Sequence, residues 1–308
     1  MPVHTEAVTT TRARGVGVVL LALVAGVGAA YAFGLRDSEE PVPSRVAGEQ
    51  VPPVGDAPLV RLAVAGDTGT GDAAQAATVD EMLDQAQGQA PYDALVLLGD
   101  LVYEDGDVDE VDTAVTEPFA PLTAQGTELV PVLGNHDYKS GEQIEILTEL
   151  GRERPWYVER VGPVRIVALD SEHAEDPAQR RWLEQVLALP QPPGTWTITA
   201  MHHPAYSAGH HGSTAEVQEN WVPLFTRYDV PLVLAGHDHD YQRSLPLDGV
   251  TYVVSGGGAK LRPTGAEDFT AVSASVLHYL DLLVYTRRIV GRAIDQSGKL
   301  VDHFTIRR

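Results

Sequence analysis

The stretch Leu95-Val96-Leu97-Leu98-Gly99-Asp100-Leu101-Val102-Tyr103 constrains this chain more than any other. Four apolar residues end abruptly in glycine and a carboxylate. A buried parallel strand that delivers a side chain to the edge of a sheet reads this way. A carboxylate leaving a core strand is costly unless it is paired or bound to a cation. Asp100 is therefore read as a bridge between two metal ions, with Tyr103, three residues on, ligating one of them. Over this stretch alone, an ordinary Gly-Asp turn after a strand would look the same.

The same ending recurs along the chain. Strands are expected over residues 59–65, 95–98, 129–133, 195–201 and 231–235. Just past their carboxyl ends stand Asp67; Asp100 with Tyr103; Asn135 with His136; His202; and His237 with His239. Ligands bind at this edge in open α/β sheets. Hard oxygen donors and imidazoles without thiols suit iron, manganese or zinc, and so many ligands suggest two metals. Any one piece is weak evidence, since a His-x-His is commonly a surface loop. Their joint occurrence at successive strand ends is not.

Between these strands the spacing predicts helices over residues 73–87, 109–124 (interrupted near Pro118), 177–189 and 215–228. A strand pair is expected over 156–159 and 164–170, turning at Gly162-Pro163. From residue 250 onward the chain reads mostly as strands, over 250–254, 279–285, 289–294 and 300–306. Helices alternate with strands early and strands dominate late. The pattern is α/β, with two packed sheets and helices on their outer faces.

The N-terminus carries an address. Residues 15–35 form an uncharged run, GVGVVLLALVAGVGAAYAFGL, preceded by Arg12 and Arg14. It is long enough for a membrane-spanning helix. Ala30-Tyr31-Ala32 also fits a small-residue cleavage site, so a retained anchor and a cleaved signal peptide both fit. Either way the arginines keep the N-terminus in the cytoplasm and put the body outside. Residues 1–36 are thus a signal anchor or signal peptide. Residues 37–57, with Pro41, Pro43, Pro52 and Pro53, are an extended linker, and 58–308 is the catalytic domain. If uncleaved, the first segment ties the protein to a membrane.

The formal net charge of −21 argues against nucleic acid as a partner and repels anionic membranes. It would not steer a phosphorylated substrate in, so phosphate binding must be local, and a metal pair could supply that local charge. With no cysteine, disulfides, thiol catalysis and zinc fingers are excluded.

Taken in order, Gly66-Asp67-Thr68-Gly69, Gly99-Asp100-Leu101-Val102-Tyr103, Gly134-Asn135-His136-Asp137, His202-His203-Pro204 and Gly236-His237-Asp238-His239 resemble the calcineurin-like metallophosphoesterases. The chain is most similar to their purple acid phosphatase branch, including the small tartrate-resistant type. Tyr103 follows Asp100 at the spacing of that branch's tyrosinate. Thr68-Gly69 follows Asp67 where most other branches carry a histidine ligand. One strand residue departs from the pattern, Thr199 standing for valine. The resemblance covers roughly residues 58–241 and implies a four-layer α/β/β/α sandwich of two mixed β-sheets.

It further implies a ferric ion held by Asp67, Asp100, Tyr103 and His239. A divalent ion (iron, zinc or manganese) would be held by Asp100, Asn135, His202 and His237. His202 rather than His203 is the ligand, because the family histidine stands two before proline. The implied activity is hydrolysis of a small phosphorylated substrate by attack of a metal-bound hydroxide. His136 and His211 would serve the substrate side, His210 being the ambiguous neighbour. Asp137, Asp238 and Asp240 are expected to orient the imidazoles. A phosphomonoesterase is the first reading. A phosphodiesterase or nucleotidase with the same centre is the alternative. Oligomeric state is not legible.

Overall fold

Strands apolar on both faces require cover on both sides, and the computed structural model, which describes residues 49–50, 55–87 and 89–308, has this arrangement. One seven-stranded sheet runs β1 (Glu49–Gln50), β14 (Lys299–Arg307), β13 (Arg288–Asp295), β12 (His278–Val284), β2 (Val60–Ala65), β3 (Ala94–Leu98), β4 (Glu128–Val132). The other, also seven-stranded, runs β11 (Thr270–Ala274), β9 (Tyr241–Ser244), β10 (Thr251–Ser255), β8 (Leu232–Ala235), β7 (Trp196–Ala200), β6 (Val164–Ala168), β5 (Tyr157–Val161). The pairs β2–β3 and β3–β4 are parallel, as are β6–β7, β7–β8 and β8–β10. Strands β12, β13 and β14 close the first sheet by antiparallel pairing.

The pleat divides each strand between two cores. Val96 and Leu98 of β3 pack with Ile166, Ile198 and Leu234 of the opposite sheet. Leu95 and Leu97 point the other way, against Val79 and Met82 of α1 (Ala73–Ala86) and Phe119 of α2 (Glu117–Thr123). Beyond the second sheet, Val167 and Val233 meet Leu183 of α4 (Pro177–Ala188), Trp221, and Phe225 of α6 (Val222–Arg227). The result is the four-layer α/β/β/α sandwich of two mixed sheets.

Proline decides where the expected helices break. Residues 109–124 form a one-turn helix, a wide turn over Asp112–Thr116 and α2. Pro118 has no N–H to offer the Ala114 carbonyl. The Gln75 side chain donates to it instead, at 2.6 Å. Residues 215–228 split into α5 (Ala215–Asn220) and α6, because Pro223 cannot continue the ladder. Strands β9 and β11 and the short helix α3 (Gln143–Glu149) were not legible, being only four to seven residues long. The segment read as pure linker contributes β1, whose Glu49 and Gln50 pair with Leu300 and Lys299 of β14. No helix among the described residues is long and apolar enough to cross a membrane; residues 15–35 lie outside them.

Two buried ionic groups brace the sheets. Arg61 on β2 and Arg292 on β13 both donate to Asp281 on β12, Arg61 Nη2 at 2.9 Å. Tyr92 lies under the Arg61 guanidinium, 4.2 Å from ring centroid to Cζ. Between the sheets, Tyr241 donates to Asp302 at 2.8 Å and Arg243 joins it at 2.6 Å. Tyr241 and Arg243 are therefore packing residues. Removing Asp281 would take away the buried carboxylate that both guanidinium groups share. Asp281→Ala is expected to destabilise the fold by about 3–5 kcal/mol, measurable by denaturant unfolding.

Candidate metal centre

Three strand ends turn in the same way. Asp67, Asp100 and His237 each follow a glycine and each have positive φ, 58°, 52° and 71°. Non-glycine residues rarely adopt this region, and such strain persists where the surroundings hold it. Here hydrogen bonds lock the turns together: Asp67 N donates to Gly99 O at 3.0 Å, and His237 N to Asp67 Oδ2 at 2.9 Å. The preceding glycines are required for close approach. A Cβ on Gly99 would lie 2.5 Å from His202 Nδ1, and one on Gly236 would lie 2.7 Å from Asp67 Oδ2.

The side chains gather in two groups that share Asp100. On one side, Tyr103 OH donates to Asp100 Oδ2 at 2.7 Å and lies 3.1 Å from Asp67 Oδ1 and 3.4 Å from His239 Nε2. His239 Nε2 is 3.3 Å from Asp67 Oδ1. On the other side, His202 Nε2 lies 3.4 Å from Asp100 Oδ1. Asn135 Oδ1 is 3.1 Å from that nitrogen and 3.0 Å from His237 Nδ1. The two carboxylate oxygens of Asp100 thus face different donor sets.

Burial sets the electrostatics. Asp67 is pushed well above the usual carboxylate range, first by burial, while the nearby His202 pulls the other way. Burial alone would also raise Asp100, but His202 and the His136 amide outweigh it and hold Asp100 below its ordinary value. His239 is lowered to about 4, by burial and then by Arg262. His237 is lowered by burial and by the imidazoles around it. Neutral imidazoles facing crowded, buried carboxylates are what a cation would stabilise. Asp67, Asp100 and His239 offer ligand atoms all within 4.8 Å of one another. The donor set fits a pair of metal ions.

The imidazoles are oriented differently from expectation. His202 Nδ1 lies 2.8 Å from Leu98 O, which can only accept. The proton is on Nδ1, and Nε2 turns its lone pair into the site. Asp137, expected to do this, touches no imidazole. It accepts from the amides of Gly134, Leu101 and Val102, tying two strand-end loops together. Asp238 accepts from the Ser207 hydroxyl and the His211 and Gly212 amides, and so holds the loop that carries His211. Asp240 pairs with Gln242. Asp170 takes Tyr138 OH at 2.7 Å and caps a one-turn helix. Gly256 passes close beside Asp67, and Gly258 N bonds Gly66 O.

His136 and His211 flank the centre. The His136 amide donates to Asp100 Oδ1 at 2.9 Å, and its ring lies 4.5 Å from that of Tyr103. The His211 ring packs at a tilt against His237 at 4.3 Å and is lowered by partial burial; His210 and His211 are both exposed residues. His203 joins His202 and His237 in a three-imidazole group, but its Nδ1 is engaged by Ser171 Oγ at 3.0 Å. Sequence reasoning missed three neighbours. Lys260 Nζ stands 3.6 Å from the Tyr103 ring centroid and pairs with Glu104. Lys139 Nζ reaches His136 Nδ1 at 2.7 Å. The scarcity of lysine was the one available signal.

The geometry agrees with what comparison finds. The family model described as calcineurin-like phosphoesterase matches residues 60–241. Purple acid phosphatase 3 of Arabidopsis thaliana is 25% identical over 232 residues, 65% of this chain and 63% of that protein. Tartrate-resistant acid phosphatase type 5 of Rattus norvegicus is 36% identical over 86 residues, 28% of this chain and 26% of that protein. An uncharacterized Mycobacterium tuberculosis protein is 28% identical over 152 residues, 36% of this chain. The matched part spans 29% of that relative's length. The solved structure of purple acid phosphatase PPD1 from yellow lupin (Lupinus luteus) seeds superposes with a TM-score of 0.66 at 20% identity, covering 84% of this chain and 55% of that one. The family match spans more than half of the sequence and contains every strand end that carries a proposed ligand, so the chain belongs to the calcineurin-like phosphoesterase family.

Proposed function

We propose that this chain is an exported phosphomonoesterase that hydrolyses small phosphate esters at a dinuclear metal centre. The observation that carries the reading is Asp100, whose Oδ2 faces Tyr103 while its Oδ1 faces His202. Asp67, Tyr103, His239 and Asp100 would hold a ferric ion. Asn135, His202, His237 and Asp100 would hold divalent iron, zinc or manganese. Bound there, the two ions would acidify water and neutralise the charge that develops in an in-line displacement at phosphorus. The chain does the rest. Leu98 O fixes the His202 tautomer, and Asp137 holds the loops that carry Asp100 and Asn135. His136, at the rim beside Tyr103, protonates the departing alkoxide. His211, packed against His237, contacts the substrate from the opposite side. Export rests on the uncharged run at residues 15–35 and its flanking arginines.

The reading is tested by turnover of p-nitrophenyl phosphate with bound metal measured in parallel. Activity should be lost with the metals on chelation and return on reloading with iron and a divalent ion. Full turnover by the metal-free protein would overturn it. His211→Ala should keep both metals and slow turnover by about 10²-fold. An unchanged rate would return His211 to a solvated loop.

A further inference from the structure

Lysine is scarce here. The chain carries three lysines against a net charge of −21, and two of the three stand on one side of the candidate centre. Lys260 Nζ lies 3.6 Å from the Tyr103 ring centroid and 2.5 Å from Glu104 Oε1. Lys139 Nζ lies 2.7 Å from His136 Nδ1 and donates to the Glu104 carbonyl at 2.9 Å. Among the described residues Lys139 pairs with no carboxylate, and the carboxylate on Lys260 belongs to Glu104, whose side chain is 66% exposed. Two ammonium groups therefore stand beside one exposed carboxylate, and of the two only Lys260 engages it. In so acidic a protein the long-range field repels anions, so two ammonium groups placed together beside the site have a consequence for what enters.

The position of the pair decides which part of the substrate it meets. His136 is the residue assigned to protonate the departing oxygen, and Lys139 touches that ring. The leaving group lies on this side, and the transferred phosphoryl group lies over the metals. We infer that Lys139 and Lys260 bind a negative charge on the leaving group, so that the chain favours phosphate esters whose alcohol carries its own carboxylate or second phosphate. Glu104 occupies the place of that anion and is displaced by it. This rests on the phosphoesterase reading above.

The experiment measures kcat/KM for two substrate pairs that differ by one anion. They are phenyl phosphate with 4-carboxyphenyl phosphate, and glucose 6-phosphate with glucose 1,6-bisphosphate. The metal-loaded full chain is compared with Lys139→Met, Lys260→Met, the double variant and Glu104→Gln. The readout is the ratio within each pair, in which any general change in rate cancels. Each lysine variant should lower the anionic-to-neutral ratio by about two- to fivefold, and the double variant by about tenfold. Glu104→Gln should raise the ratio, by roughly twofold or more. Damage to the fold cannot produce that opposite sign. Ratios that stay put in the lysine variants, or fall in Glu104→Gln, would overturn the inference while leaving the phosphoesterase reading intact. A wild type that hydrolyses neither member of either pair would fail both.

Discussion

Asp100→Ala is expected to abolish phosphoester hydrolysis, by about 10³-fold or more, and to release at least one metal ion. One carboxylate serves both donor sets. Its Oδ2 lies 2.7 Å from Tyr103 OH and its Oδ1 lies 3.4 Å from His202 Nε2. The residue is buried, and the His136 amide holds Oδ1 at 2.9 Å. No other acidic side chain among the described residues spans the two groups: Asp67 is engaged with Tyr103 and His239, and Asp137 with amides. Asp100→Asn separates a lost bridge from a lost fold. It keeps the shape and one oxygen acceptor, so it should retain the folded structure and one metal while still losing turnover. Metal analysis and turnover of the same samples check this. Normal metal content with wild-type turnover in either variant would rule out the bridging role.

Much of this arrangement was legible because its causes are local. A run such as Leu95 to Leu98 followed by Gly99-Asp100 marks a strand covered on both faces, and the same ending recurs at β2, β3 and β4 of one sheet and at β7 and β8 of the other, so both sheets bring their carboxyl edges to the centre. The glycines before Asp67, Asp100 and His237 were visible as a pattern, and the structure supplies the reason in positive φ and close approach. What could not be read depends on distant partners. The group that fixes the His202 tautomer is a backbone carbonyl, Leu98 O, which every residue possesses. Asp137 stands next to His136 in sequence, and adjacency suggested an imidazole partner, but its side chain turns inward to three amides. The Gln75 side chain bonds Ala114 O across 39 residues, an association no period reveals. Strand β9, Tyr241–Ser244, has one aromatic followed by three polar residues and is buried because β10 and β11 flank it. Lys139 and Lys260 are remote in sequence and meet only around Glu104.

With ferric iron bound, the isolated protein is expected to be purple or pink, and Tyr103→Phe to bleach it completely. Among the proposed ligands, only Tyr103 can give a tyrosinate-to-iron charge-transfer band. Its hydroxyl is the atom that meets Asp100, Asp67 and His239, whereas its ring is held independently by Lys260 on one face and by edge contact with His136. The phenylalanine should keep those ring contacts and lose the oxygen alone. Iron content should therefore fall less than the visible absorbance, and turnover should survive in part, since the Asn135, His202 and His237 side is untouched. A visible spectrum normalised to bound iron is the measurement. A colourless wild type at full iron occupancy would sink the tyrosinate role and leave the broader family membership standing. A band that survives Tyr103→Phe would be harder to accommodate, because the tyrosines that follow the other ligand motifs are committed elsewhere. Tyr138 OH is taken by Asp170 at 2.7 Å, and Tyr241 OH is buried between the sheets on Asp302 at 2.8 Å. Neither can turn to the centre without breaking a bond that holds the fold, so a surviving band would mean iron bound outside the site formed by these strand ends.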